Sequence, residues 1–246
     1  MVATNLCPII ILRYSLFLQT YIRICWAFIL NASSEKKAAA LTAHLADHAP
    51  RTWQRMLSGR RLNLLDPSPM DIEIEDIALG LARNTRWNGQ TQGVHAWSVA
   101  QHSDFVVDIV RRLQPKATPD ILMAAKLHDA SEYVTHDLIT PLKAVVGDVF
   151  KEVENRLLQA IRLRFGLAAV LPASTEALVK NADKIAAATE AVQLAGFSVV
   201  EARTVLGFRE KPLSDVKLIP VPAAEAEKAF LDGFHTLEAA VTLQKR

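Results

Sequence analysis

Apolar residues along this chain recur with the spacing of helices, not with the alternation of strands. From Asp76 the run "DIALGLAR" sets Ile77 and Leu81 four residues apart with alanines beside them, which is one face of a helix. "SVAQHSDFVVDIVRRL" repeats the pattern through Val99, Val106, Ile109, Val110 and Leu113. His102 stands three residues after Val99 and four before Val106, so it points inward with them. Pro119-Asp120 opens the next helix, with Asp120 as the expected N-cap, and Ile121, Ala124, Ala125 and His128 share its inner face. A helix beginning at Asp148 is expected to stop at Gly166, and "STEALVKNADKIAAATEAVQLAG" at Gly196. In the latter, Val179, Asp183 and Ala186 lie on one side. The last segment, through Phe230, Phe234, Leu237 and Val241, reads as an amphipathic C-terminal helix, preceded by the irregular or extended "GFREKPLSDVKLIPVP". "PRTWQRMLSGRRLNLLDPSPMDIEIED" is a Pro- and Gly-punctuated approach to the core, and "NGQTQG" is a loop. No stretch shows a convincing strand pattern, so the expected fold is all-α, a helical bundle.

Composition narrows this further. The chain has 246 residues, half of them hydrophobic, and only 9 glycines. That suits one domain with extensions and a substantial helical core. The net charge is +2 and the basic residues are scattered, which argues against nucleic acid as a partner. Cys7 and Cys25 are the two cysteines, so the rest of the chain can hold neither a disulfide nor a Cys-ligated zinc; a reducing cytoplasm fits. The N-terminal stretch "LCPIIILRYSLFLQTYIRICWAFIL" is apolar but broken by Arg13 and Arg23. A membrane span wants about 20 nearly uncharged residues, and a signal peptide puts its charge ahead of the apolar run. Residues 1–48 are therefore expected to be an extension outside the fold, including a short helix in "SSEKKAAALTAHLADHA", and residues 49–246 the domain. No membrane partner is expected.

Three inward-facing polar positions, each on a different predicted helix, need an explanation: His102, the pair His128-Asp129, and Asp183. Any one alone reads as ordinary core or surface chemistry, and Lys180 or Lys184 could pair with Asp183. Together they bring two carboxylates into a core, where an uncompensated charge costs several kcal/mol. A divalent cation compensates them. Two neutral imidazoles and two carboxylates suit Mn, Co, Fe, Ni, Zn or, less well, Mg, with positions left for water and substrate. Glu132, four residues after His128 on the same predicted helix, can reach a water on such an ion.

The blocks "SVAQHS", "LHDASEYVTHDLITPLK" and "NADKIAAATEA" resemble the HD-domain metal-dependent phosphohydrolase superfamily, and the "HDASE" continuation is similar to its bacterial 5′-deoxynucleotidase branch. The likeness covers residues 76–196. It implies an HD-domain helical bundle in which His102, His128, Asp129 and Asp183 hold one divalent metal ion. It also implies catalytic roles for Glu132, which would orient a water or exchange protons with it, and for Asp137, which would protonate the leaving oxygen or hold the sugar. Arg86 and Trp87 match an Arg-Trp pair that would grip phosphate and pack on a sugar or base, with Arg83 as the alternative phosphate ligand. Lys143 would add charge at the pocket mouth. His136 departs from the pattern, standing where relatives carry Gly, so a changed backbone and a narrower pocket are expected there. His95 reads as a loop residue, and His44, His48 and His235 carry no such signal.

The function so implied is a cytoplasmic phosphomonoesterase releasing phosphate from (deoxy)nucleoside 5′-monophosphates, with a homodimer expected from the resemblance. The alternatives are an HD-type nucleoside triphosphate or other small phosphate-ester hydrolase, a non-catalytic nucleotide-binding module, and a membrane-tethered regulatory protein that would rest on the N-terminal stretch alone.

Overall fold

The computed structural model describes residues 51–244. The extension 1–48, with its expected short helix, Cys7, Cys25, His44 and His48, lies outside them. The described chain is helical, with one small hairpin. β1 (Trp53–Arg55) pairs antiparallel with β2 (Arg61–Asn63), Gln54 opposite Leu62. This corrects the expectation of no strand. Three residues are too few to show an alternation, and only Leu62 is buried, so no pattern was there to be read.

The helices follow as α1 (Ile74–Arg83), α2 (Val99–Leu113), α3 (Pro119–Lys126), α4 (Glu132–Thr135), α5 (Thr140–Val146), α6 (Asp148–Arg164), α7 (Ala173–Gln193), α8 (Val199–Thr204) and α9 (Ala223–Gln244). In α1, Ile74, Ile77, Ala78, Leu81 and Ala82 are buried, the i, i+3, i+4, i+7, i+8 stripe of a core-facing helix. In α2 the Ser98 side chain accepts the Gln101 N–H at 3.2 Å, a hydroxyl N-cap. α9 buries Ala226, Phe230, Phe234, Leu237 and Val241, the expected apolar face, and packs on α1, α3 and α2. α2 is covered on its other side by α7. Each fully buried Leu, Ile or Phe side chain in this core contributes about 1.5–3 kcal/mol.

Two details of the expected helices change. Asp120 is not the cap of α3: Pro119 takes the first helical position and Thr118 the capping one. A proline needs no N–H there and sets its φ in advance, so it fixes the start one residue earlier. α5, which the apolar spacing did not mark, begins at Thr140-Pro141; a proline in the first helical turn is compatible with a helix. Among the described residues, no helix is long and apolar enough to cross a membrane.

Candidate metal centre

The segment between α3 and α4 decides how the site is built. The apolar periodicity of α3 runs on through "AAKLHDASEY", yet the helix stops at Lys126, and Leu127–Ser131 form tight turns. His128 N–H reaches Ala125 O at 3.4 Å and Glu132 N–H reaches Asp129 O at 3.0 Å. These three-residue steps rotate His128 and Asp129 out of the α-helical register, so the pair lies beyond a helix end and not within one turn of helix. Two contacts hold α4 close to α1. A Cβ on Gly80 would meet Tyr133 Cβ at 2.7 Å, and Asn84 Nδ2 donates to Glu132 O at 3.2 Å.

His102 from α2, His128 and Asp129 from the turn, and Asp183 from α7 bring one ligand atom each within 4.8 Å of one another. His102 Nε2 is 3.3 Å from His128 Nε2, 3.2 Å from Asp183 Oδ1 and 3.5 Å from Asp129 Oδ2. His128 Nε2 is 3.2 Å from Asp129 Oδ2. The other ring nitrogens are already engaged. His128 Nδ1 donates to Ala125 O at 2.8 Å, and His102 Nδ1 meets Glu190 Oε1 at 2.6 Å. Tying off Nδ1 leaves Nε2 of both rings for a common point, the arrangement that orients histidines around a metal. The four residues therefore fit a divalent cation, as mixed N/O donors on three separate elements.

Without a cation, the same groups balance charge among themselves. Burial opposes a charge on His102 and Arg86 adds to that, but Glu190 and the hydrogen bonds to Asp183 and Glu190 raise its pKa to about 10. Burial would likewise raise Asp129, yet His128, His102 and Arg86 hold it well below the usual carboxylate range. Asp183 is lowered against its burial by hydrogen bonding to His102 and by the His102 charge. Glu190, fully buried, is lowered to about 2 against its burial by His102 and Arg86. Glu132 goes the other way. Burial, then Asp129 and Asp137, push its carboxyl well above the ordinary value, and its buried Oε2 has no hydrogen-bond partner among the described residues.

The remaining residues singled out in the sequence surround a cleft of about 490 Å³ that opens over these ligands, lined among others by Arg86, Trp87, Glu132, Asp137 and Lys143. Arg86 Nη1 lies 3.5 Å from Asp129 and 3.4 Å from Asp137, and Nε lies 3.5 Å from Glu190. Lys143 Nζ is 3.6 Å from Glu132 Oε1 and 3.5 Å from Glu154. Trp87 donates through Nε1 to Glu190 at 3.2 Å. Trp87 and Asn88 have φ of 57° and 51°, a left-handed turn that costs roughly 1–2 kcal/mol per residue and sets Arg86 and Trp87 facing the ligands. Arg83 is exposed and outside the cleft lining, so it is not placed for the phosphate role. Lys184 pairs with Glu210 at 3.7 Å instead of Asp183. His95 is an exposed loop residue, and the exposed His235 faces Glu238. His136 closes the end of α4. It adopts φ 63°, ψ 159°, a conformation that glycine takes without strain and that costs another side chain about 1–3 kcal/mol.

Sequence reasoning missed Glu190. It sits seven residues after Asp183, two turns on along the same helix face, so the spacing could have revealed it. It gathers His102, Trp97 (Nε1 at 2.9 Å), Trp87 and Arg86 around one buried carboxylate.

No protein-family model matches the chain. The uncharacterized protein YfdR of Escherichia coli (strain K12) is 36% identical over 120 residues, 49% of this chain and 60% of YfdR. The uncharacterized protein RCAP_rcc00048 of Rhodobacter capsulatus is 51% identical over 190 residues, covering 76% of this chain and 96% of that protein. Identity at that level over nearly the whole of the relative places this chain in the same protein family as RCAP_rcc00048.

Proposed function

We propose that the protein is a divalent-metal-dependent phosphohydrolase of the HD type that releases phosphate from (deoxy)nucleoside 5′-monophosphates. The observation that carries the reading is the convergence of His102, His128, Asp129 and Asp183 within 4.8 Å beside a cleft lined by the cations Arg86 and Lys143. A bound divalent cation supplies Lewis acidity toward a phosphoryl oxygen and acidifies water. The chain's own side chains supply the rest. Arg86 stays charged because the Glu190, Asp137 and Asp129 carboxylates outweigh its burial, and its planar fork suits two phosphate oxygens. Lys143, held charged against its partial burial by Glu132 and Glu154, adds a second positive contact. Glu132, whose carboxyl is pushed well above its ordinary value by burial, is placed to exchange a proton with the departing ester oxygen, with Asp137 beside Arg86 to hold that oxygen or the sugar. Two cations suit one phosphate better than three, which favours a monoester over a triphosphate. The same reading carries a cytoplasmic homodimer.

The test is phosphate release from a panel of mono- and triphosphates by protein stripped of metal and reloaded with Mn²⁺ or Co²⁺. Release from monophosphates that disappears in Asp129→Ala is the expected result. Pyrophosphate or triphosphate as product would move the assignment to a triphosphate hydrolase, and silence across the panel to a non-catalytic nucleotide-binding module.

A further inference from the structure

The lining of the cleft divides into two chemistries. Next to the metal ligands and Arg86 stand Trp87, Phe197, Leu206 and Phe208, and the Trp87 and Phe197 rings lie 6.0 Å apart at 45°. Both phenylalanines follow a helix end and are set by the same backbone device. After α7, Gly196 takes φ +78° and Phe197 N–H returns to Ala191 O at 3.0 Å. After α8, Gly207 takes φ +76° and Phe208 N–H returns to Ala202 O at 3.1 Å. Each is a left-handed glycine stop after which the next N–H returns to the carbonyl six residues back, which fixes the backbone of that residue. Both rings are half-buried and face the cleft, so part of each aromatic surface is left to be covered by a ligand.

We propose that Phe197 and Phe208 are specificity residues that select phosphate esters whose alcohol carries a flat ring, holding the ring by stacking while Arg86 and Lys143 take the phosphate. This rests on the phosphohydrolase reading of the same cleft and adds to it the residues that hold the ring. A ring-bearing ester covers the aromatic surface; a short alkyl phosphate leaves it against water. A cleft of about 490 Å³ lies within the size range of small-molecule sites.

Phosphate release is measured from deoxyadenosine monophosphate, phenyl phosphate and glycerol phosphate for the unaltered protein and for Phe197→Leu, Phe208→Ala and Phe208→Leu. Deoxyadenosine, which has no phosphate, is titrated in parallel by calorimetry. The expected result for Phe208→Ala is a rise in KM on the order of tenfold for the two ring-bearing esters, with kcat and the glycerol phosphate kcat/KM unchanged, and lost deoxyadenosine binding. The two leucine variants keep apolar volume and lose the ring; a smaller rise of the same kind in them separates lost stacking from a disturbed segment. Equal losses on glycerol phosphate and on the ring-bearing esters, or no change in KM for any variant, would overturn the proposal while leaving the phosphohydrolase standing. Absence of phosphate release with deoxyadenosine binding that depends on Phe208 would remove the phosphohydrolase and keep the ring wall. Absence of both release and binding removes both.

Discussion

α2 and the α3 region each contribute to two buried polar constellations that lie two residues apart in sequence: His102 with His128-Asp129, and Asp104 with Lys126. They handle charge in a core in opposite ways. Lys126 is 1% exposed, pairs with Asp104, and stands 4.0 Å from the centroid of the Phe230 ring. α9 passes close over the pair at Gly233, where a Cβ would stand 3.0 Å from the Lys126 nitrogen and 3.3 Å from Asp104 Oδ1. Burial pushes Lys126 down and Asp104 up, each opposed by the other's charge. One charge meets one charge and the set is closed. At the metal centre, Asp129, Asp183 and Glu190 stay ionised against their burial, three carboxylates held between the charges of His102 and Arg86, with two Nε2 atoms converging on the same point. Buried charge is therefore not in itself a mark of function. A self-neutralising pair is architecture, whereas an open excess of convergent acceptors calls for a cation.

The largest effects should separate the two constellations cleanly. Asp129→Ala removes a ligand, so phosphate release and bound metal should fall below detection, while the thermal midpoint of the metal-free protein falls only modestly because His102 and Arg86 keep Asp183, Glu190 and Asp137 as partners. Metal analysis, a phosphate assay and a melt check this; a large drop in the metal-free midpoint would mean that the site is structural like its neighbour. Asp104→Ala should do the reverse. It strands a fully buried ammonium, and breaking a fully buried pair costs about 3–5 kcal/mol. Asp104 is itself 36% exposed, so a loss of about 2–3 kcal/mol in urea unfolding is expected after allowing for screening, with metal content per folded molecule unchanged. Asp104→Leu combined with Lys126→Met should recover most of that loss.

Glu190→Gln tests the metal centre one step out. The amide can still accept the His102 Nδ1 hydrogen but no longer carries the charge that raises the basicity of the ring. Apparent metal affinity should fall roughly 10–100-fold, read by titrating metal into stripped protein, and the fold should remain. Unchanged affinity would show that Glu190 only satisfies the Trp97 and Trp87 indoles.

These contrasts also show what a sequence displays and what it conceals. The helices of α2, α7 and α9 are legible because their burial follows a 3.6-residue period, and the inward placement of His102 and Asp183 follows from the same count. The break after Lys126 is not legible, because apolar residues continue through Leu127 and Ala130 while the hydrogen bonding shifts to three-residue steps. Lys126 reads as a surface lysine until α9, a hundred residues later, covers it. Glu190 hides among alanines near a helix end, where a glutamate ordinarily faces water. Phe197 and Phe208 follow glycine stops that periodicity marks only as helix ends, and which surface such a residue faces is a tertiary matter.

A third charged group sets the lower limit of the comparison. Glu73, just before α1, accepts from Arg60 of the hairpin at 2.8 and 2.6 Å and from Arg164 at the end of α6 at 3.0 Å. The hydrogen bond from Arg60, followed by that from Arg164, lowers the Glu73 pKa below its ordinary value. A carboxylate whose pKa is lower folded than unfolded binds more protons in the unfolded state, so its contribution is fully present above the unfolded value. That contribution is lost as pH falls through the folded value. All three side chains touch solvent, Arg60 being 46% exposed, so the gain is that of a surface network, below about 1 kcal/mol. Urea unfolding of Glu73→Gln and the unaltered protein should differ by that amount at neutral pH and converge as the solution is acidified below the ordinary glutamate range; added salt should shrink the neutral-pH gap. A gap as large as that for Asp104→Ala would mean that pairing geometry, and not burial, sets what a charge contributes in this fold.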